Sequence, residues 1–451
     1  MRSRASVTGE PRAPLCGMGV CFECRPEGGS RTCLAPGPWL PPPAQAEVVV
    51  VGAGPAGLAA AETAARLGAA VVILDENAAP GGQIWRGPSP EAAGLLDLAR
   101  RAGARWFGGC TVFDADPEGR LWVTDVSGMQ STRIGFERLV LATGARERFL
   151  PFPGWTLPGV VGAGGLQALV KGGAGVEEQR VVVAGSGPLL LAVGAFLAEQ
   201  GAEVACVCEQ APLGRLGRFI SASPNLALGA ARLRLALGSS PYRFGTWVAE
   251  ACGRDRLESV VVTDGRRRWR ERCDWLACGY GLVPNLELAR LLGCKTKGDA
   301  VVTDSDLQTT IPGVFAAGEA LGIGGVECAL VEGSMAGSAA AGKAPSRELR
   351  ERREGLRRAS VRMADAFALR PEVLSLASPE TILCRCEDVR IEQVEHARSY
   401  REAKLLTRLG MGPCQGRICG IASQTLFGWT PDRVRPPLIP VSVRCLGEEE
   451  E

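Results

Sequence analysis

The sequence predicts an α/β protein with two dinucleotide-binding (Rossmann-like) domains, and three observations predict it. Four valines, 48–51, run into Gly52-Ala-Gly54-Pro-Ala-Gly57; an alanine-rich stretch follows to Leu67, and a second apolar run ends at Asp75. The pattern returns at 181–190, VVVAGSGPLL, followed by an apolar run from Glu203 to Val207. Two further apolar runs close on small-residue turns, at Thr143-Gly144 and at Gly318-Glu319. Unbroken β-branched runs suit strands buried on both faces of a parallel sheet, and glycine turns suit the strand-to-helix crossovers such a sheet requires.

In the first repeat each part has a physical task. Gly52 permits the tight turn, Gly54 lets a pyrophosphate approach the backbone, and Gly57 lets helix and strand pack closely. The free N–H groups and positive end of the helix then face the phosphates. Asp75, 23 residues beyond Gly52, stands where an acid accepts the ribose hydroxyls. In the second repeat Gly185 and Gly187 match the first two glycines, but Leu190 stands third and would hold helix and strand apart. Its acid position falls on Cys208, with Glu209 beside it. No arginine is there for a 2′-phosphate, which favours NAD over NADP; a bare adenine nucleotide and a vestigial domain are the alternatives.

At 451 residues there is chain enough for several domains with substantial cores. A net charge of +2 gives no field to recruit nucleic acid or an anionic membrane. The most apolar stretch, 181–198, is broken by Gly185-Ser-Gly187-Pro and makes a poor membrane span. Residues 1–15 carry three arginines and no apolar segment, so no signal peptide is expected.

Seventeen cysteines need a task. Eight fall in two groups, one toward each end, which points to thiolate-held clusters in a reducing, cytoplasmic compartment rather than to a disulfide framework. Cys16, Cys21, Cys24 and Cys33 are spaced C-x4-C-x2-C-x8-C, the plant-type [2Fe–2S] pattern, whereas zinc would ask for paired C-x2-C knuckles. Only fifteen residues precede Cys16, too few for a supporting sheet, so the expectation is a truncated start or one that a partner completes. The proline-rich stretch 36–43 reads as a stiff linker. Toward the other end, Cys384-Arg-Cys386-Glu and Gly410-Met-Gly-Pro-Cys414-Gln-Gly-Arg-Ile-Cys419 supply two pairs whose four sulfurs are expected to converge, on iron–sulfur or on zinc. Between them His396 reads as a solvated helix residue; ahead of them the arginine-rich run 346–364 reads as a solvated linker helix. The tail from Trp429 is expected to run extended across another surface.

Several of these pieces resemble known families. Gly81-Gly82-Gln83, the turn at Thr143-Gly144 and the run ending Gly318-Glu319, taken with the first repeat, resemble the two-dinucleotide-domain flavoproteins, which include glutathione and thioredoxin reductases. The resemblance implies FAD on Gly52, Gly54, Gly57, Asp75, Gly82, Gln83, Thr143, Gly144, Gly318 and Glu319. Gln83 would lie near the flavin ring and Glu319 toward the ribityl chain, with NAD or an adenine nucleotide on Gly185, Gly187 and Glu209. The group Cys384, Cys386, Cys414 and Cys419 resembles the small helical bacterioferritin-associated-ferredoxin-like [2Fe–2S] domain. The run Gly322-Ile-Gly-Gly-Val-Glu and the N-terminal PRAPLCGMGVCFEC, which looks like part of a ferredoxin-like small subunit fused to the front, complete the pattern. The whole chain resembles the large (α) subunits of heteromeric amino-acid and opine dehydrogenases, the opine oxidase, hydrogen cyanide synthase, D-hydroxyproline and L-proline dehydrogenase group. The expected domains are a ferredoxin-like segment and linker (1–42), an FAD-binding domain (43–153 with 299–345), and an inserted nucleotide domain (154–298). A linker helix (346–378), a [2Fe–2S] domain (379–430) and a tail (431–451) follow.

The chemistry narrows accordingly. Disulfide reduction is not expected, because no cysteine lies between Cys33 and Cys110, and Cys206 and Cys208 form only a C-x-C on a strand. With His396 the single histidine, no imidazole serves as base beside the flavin, and no catalytic residue is assigned. The resemblance implies an electron-transfer subunit whose partner, a D-amino-acid-oxidase-like FAD subunit, holds the substrate. FMN at that interface, an external electron acceptor, and contact with the inner face of the membrane through partners belong to the same expectation. A flavin takes two electrons as hydride and releases them singly, and a [2Fe–2S] cluster takes one at a time. The alternatives are a self-sufficient NADH-dependent flavoprotein reductase and a non-catalytic cluster-bearing scaffold.

Overall fold

The computed structural model describes residues 4–24, 33–34, 39–116, 118–221, 224–430 and 434–447; residues 36–38 of the proline-rich stretch lie outside them. The chain divides into two compact units. One comprises 27–146, 282–361 and 433–451, the other 1–26, 147–281 and 362–432.

The first of these centres on parallel strands in the order Arg105–Gly108, Val71–Asp75, Gln45–Val51, Ser131–Leu141, with Val314–Ala316 parallel to the end of the last. The other end of the long strand Ser131–Leu141 turns antiparallel to Arg120–Asp125, which pairs in turn with Cys110–Ala115. The valine run is buried on both faces, as its unbroken apolar character requires. Val48 and Val50 pack with the alanines of the helices Pro55–Arg66 and Val326–Ala340, while Val49 packs with Leu121, Val123 and Ile134 of the antiparallel strands. The two helices touch backbone to backbone: a Cβ on Gly333 or Gly337 would collide with the carbonyl of Ala56 or Ala60. The tail 434–447 lies on the antiparallel side of this unit, Leu438 N–H donating to the Phe113 carbonyl at 2.6 Å and Ser442 N–H to Gly128 at 2.9 Å.

The second unit repeats the plan. Its parallel strands run Val160–Gly162, Trp275–Gly279, Arg180–Gly185, Glu203–Glu209, Tyr242–Phe244, beside an antiparallel trio Trp247–Cys252, Ser259–Thr263 and Arg268–Arg272. Leu190, expected to hold helix and strand apart, is fully buried, because it sits where Gly279 has no side chain: a Cβ there would be 3.0 Å from Leu190 Cδ2. The same unit holds both ends of the cysteine-rich sequence. Residues 4–24 form a short antiparallel pairing, Arg4–Ala5 with Pro11–Arg12, then a buried loop. The C-terminal part joins the pairing Ile382–Cys384 with Val389–Arg390 to the helices Tyr400–Thr407 and Cys419–Phe427. It is fastened by Trp155, whose Nε1 donates to the Ile382 carbonyl at 2.7 Å. His396 lies in a turn rather than a helix, its side chain 93% exposed.

Candidate cofactor sites

The strand Gln45–Val51 ends in a turn that only glycine can make. Gly52 has φ 102°, and a Cβ on it would strike the Ala142 carbonyl; a Cβ on Gly57 would strike the Gly52 carbonyl. Opposite, Gly81 N–H donates to the Ala53 carbonyl at 2.8 Å, which brings Gly82 so close that a Cβ there would be 2.9 Å from Gly54 Cα. Two bare backbone segments thus face one another at the N-terminus of the helix Pro55–Arg66, a cradle free of side chains that suits a diphosphate. Gln83 follows in the same turn, half-buried.

Asp75 closes the cradle from the next strand. Its Oδ2 accepts the Ala53 N–H at 2.6 Å, and its Oδ1 accepts Asn77 N–H at 2.7 Å and Nδ2 at 2.8 Å. Burial pushes this carboxyl up to about 6, the three donors holding it back. Thr143 and Gly144 are pinned by Asn285: Thr143 Oγ1 donates to its carbonyl at 2.8 Å, and Asn285 Nδ2 donates to the Thr143 carbonyl at 2.9 Å. Gly318 stands against the first helix, where a Cβ would meet Ala56 Cβ at 2.7 Å. Glu319 turns back on its own loop, accepting Gly324 N–H at 3.2 Å and Gly325 N–H at 2.9 Å.

The residues that hold the Gly318 turn escaped sequence reasoning. Glu332, fully buried, accepts the Gly318 N–H at 3.1 Å. Arg353 and Arg357, from the arginine-rich helix Arg347–Ala366, both reach Glu332 Oε1 at 2.8 Å. Arg357 also donates to Glu332 Oε2 at 2.6 Å and to the carbonyls of Gly322 and Gly318 at 2.7 and 3.3 Å. The expected solvated linker therefore has one working face. Arg347 is 90% exposed, whereas Arg357 is a brace inside the unit.

In the second unit the acid position needs correction. Gly185 pairs with Glu209, not with Cys208, and Gly52 likewise follows the pair Val51 with Leu74 just as Asp75 does. The strand Glu203–Glu209 carries an extra residue, Ala205, in a bulge opposite Val181 and Val182, so counting along the chain falls one residue short. Glu209 behaves as Asp75 does: it accepts Gly187 N–H and Ala211 N–H, both at 2.8 Å, and burial pushes it up to about 7. Gly185, with φ 145°, passes so near Gly279 that a Cβ would collide with its carbonyl, while the space at Gly187 is open.

The C-terminal cysteines come together as pairs rather than as one four-sulfur point. Cys386 Sγ donates to Cys414 Sγ at 3.7 Å, and Cys419 pairs with Cys384; all four are buried. Among the described residues no three His, Cys, Asp or Glu side chains converge on a single-ion site. Two sulfurs bound at about 2.3 Å to one tetrahedral metal lie about 3.8 Å apart, so the Cys386–Cys414 pair has the span of two ligands on one metal of a two-metal cluster. Donation from Cys386, against burial, holds Cys414 down to about 6, and Cys384 is lowered chiefly by Cys419. N–H groups of Gly416 and Ile418 face Cys414, and those of Gly410 and Glu387 face Cys384. The donor set fits thiolates.

At the other end Cys16, Cys21 and Cys24 are buried in the same unit, and Cys16 Sγ accepts N–H groups of Met18 and Cys21 at 3.4 and 3.3 Å. Cys33 belongs to the other unit, its carbonyl accepting from Arg86 Nη2 at 2.9 Å. No disulfide joins any of the seventeen cysteines. Cys206 and Cys208, 3.6 Å apart, are sealed in the core of the second unit.

A bare glycine cradle on a parallel sheet, closed by an acid and repeated in a second unit, defines a nucleotide- and flavin-binding oxidoreductase of the two-domain type. The chain belongs to the pyridine nucleotide-disulphide oxidoreductase family, whose pattern matches residues 46–336, and it is an FAD-dependent oxidoreductase. Within that family it groups with subunits of hydrogen cyanide synthase and opine oxidase. It is 33% identical to hydrogen cyanide synthase subunit HcnB of Pseudomonas aeruginosa, over 86% of this chain and 92% of that one. It is 33% identical to the opine oxidase A-subunit of Rhizobium meliloti, over 88% and 97%. The crystal structure of L-proline dehydrogenase from P. horikoshii shares the fold at a TM-score of 0.64, with 19% identity over 90% of this chain and 80% of that one. No helix among the described residues is long and apolar enough to cross a membrane.

Proposed function

We propose that this chain is the electron-handling subunit of a heteromeric dehydrogenase acting on an amino acid or opine. The observation that carries the reading is the C-terminal cysteine set: four buried sulfurs in two pairs, met by backbone N–H groups, in a chain that spans nearly the whole of two relatives named as enzyme subunits. FAD would lie on Gly52, Gly54, Gly57, Asp75, Gly82, Gln83, Thr143, Gly144, Gly318 and Glu319, where it supplies two-electron acceptance and one-electron release. A [2Fe–2S] cluster on Cys384, Cys386, Cys414 and Cys419 would supply one-electron carriage. The chain's own residues position and exclude water: Asp75 and Glu332 clamp the two turns of the cradle, and burial closes the cysteine pairs from solvent. A D-amino-acid-oxidase-like partner subunit would hold the substrate, with FMN at the shared surface and an external acceptor receiving the electrons.

Oxygen-free preparation together with that D-amino-acid-oxidase-like partner subunit tests this. The complex should contain flavin, iron and acid-labile sulfide and should reduce a dye with an amino acid or opine, while this chain alone should not. Absence of both flavin and iron from this chain would sink the reading. A second reading, an NAD or adenine nucleotide on Gly185, Gly187 and Glu209, is favoured by the acid that the strand bulge brings opposite Gly185. Protection of the second unit from proteolysis by such a nucleotide, lost in Glu209→Ala, would support it.

A further inference from the structure

The residue inside each cysteine motif reaches into the other motif. Glu23 lies between Cys21 and Cys24, and Arg385 between Cys384 and Cys386. Arg385 Nε stands 2.9 Å from Glu23 Oε1, and both side chains are shut off from solvent. Around that pair the two ends of the chain are tied together. Arg385 Nη2 donates to the Ala13 carbonyl at 3.2 Å, and Arg12 Nε donates to the Arg385 carbonyl at 3.1 Å. Arg12 Nη2 pairs with Asp388 at 2.6 Å, and Thr8 Oγ1 donates to the same carboxylate at 2.7 Å. The Arg385 guanidinium also lies over the Trp155 ring, 5.5 Å from its centre. Glu23 is near enough for its charge to act on Cys386, and Cys414 is near enough to act on Glu23.

Desolvating two charges at this depth is costly, and an apolar pair would dock the segment at less cost. An apolar pair cannot set a fixed charge beside the sulfurs. We propose that Arg385 and Glu23 are a positioning pair that closes residues 4–24 over the four-cysteine group and sets how readily that group takes up an electron. This rests on the reading that the group holds an iron–sulfur cluster. Uptake of one electron adds one negative charge and makes or breaks no bond; the electron comes from the reduced flavin, or from dithionite in the test. Arg385 favours the added charge and Glu23 opposes it.

The test is a potentiometric titration of the full chain, prepared without oxygen, with dithionite as reductant and the EPR signal of the reduced centre as readout. At a fixed ambient potential, Arg385→Gln should lower the ratio of reduced to oxidised centre about tenfold, equivalent to about 59 mV for one electron. Glu23→Gln should raise it by a similar factor, and Arg385→Lys, which keeps the charge, should stay near the starting value. Opposite shifts at full iron content sustain the proposal. Unmoved midpoints, or shifts of one sign in both neutral variants, reduce the pair to a structural brace and overturn it. If Arg385→Gln sheds its iron, Glu23→Gln and Arg385→Lys carry the same comparison. A starting protein with neither iron nor acid-labile sulfide is a different result, which removes the cluster reading itself.

Discussion

Asp75, Glu147 and Glu209 are buried against backbone N–H groups, and burial raises each of them: Asp75 to about 6, Glu147 and Glu209 to about 7. Glu147 caps the helix Ala163–Lys171, accepting Gly164 N–H and Gly165 N–H, both at 2.9 Å. No motif marks it, because a cap formed by a residue outside the helix and its flanking turn leaves no local spacing to read. The sign of its pH effect follows from linkage. A carboxyl raised from 4.5 to about 7 on folding contributes its full stability below 4.5 and loses it as pH climbs through about 7. For Glu147 that amounts to about 3 kcal/mol between pH 4.5 and pH 8. Thermal unfolding of the flavin-free protein across that range should show the wild type losing stability with rising pH more steeply than Glu147→Gln. Parallel curves would mean that the carboxyl titrates normally.

At the scale of elements, periodicity and glycine turns were enough to read the strands around Val48 and Val181, and pairing between elements was not. The strand Glu203–Glu209 shows why: one bulged residue, Ala205, shifts every later partner by one, and nothing in the run Glu203 to Glu209 announces it. The helix Arg347–Ala366 shows the same limit differently. Its composition is that of a solvated helix, yet Arg357 faces a carboxylate, Glu332, that belongs to another helix and is hidden from solvent. A charge run marks a helix as polar without saying which of its charges is paired. Arg357→Gln should therefore cost about 2–3 kcal/mol, since Arg353 still partners Glu332, while the Gly318 and Gly322 carbonyls lose their donor. Flavin should leave this variant more readily than the wild type, seen as a lower flavin-to-protein ratio after dilution. Arg347→Gln, on the exposed face of the same helix, should do neither.

Over the whole molecule the same plan, a parallel sheet with an antiparallel trio of strands, is used twice, but the two cradles are not equivalent. In the first unit three glycines line the turn and two bare backbone segments approach closely, Gly82 against Gly54; in the second, Leu190 fills the place of the third glycine and takes the room that Gly279 leaves. Helix and strand stay close, so the substitution does not dismantle the fold. Truncating Leu190 to glycine would instead open a cavity, at a cost of about 2–5 kcal/mol. This separates two origins for the electrons. If the second unit served as a nicotinamide donor site, NADH alone would bleach the flavin of the isolated chain without oxygen. With substrate oxidation placed on a partner subunit, the isolated chain should keep its yellow colour with NADH and lose it only when the partner and its amino-acid or opine substrate are added together. Stopped-flow absorbance at the flavin band, with and without partner, measures this directly. Fast bleaching by NADH alone would move the function to a self-sufficient reductase. The Glu209→Gln variant would then show whether the acid opposite Gly185 holds the donor, through a rise in the NADH concentration needed for half-maximal rate with the limiting rate unchanged.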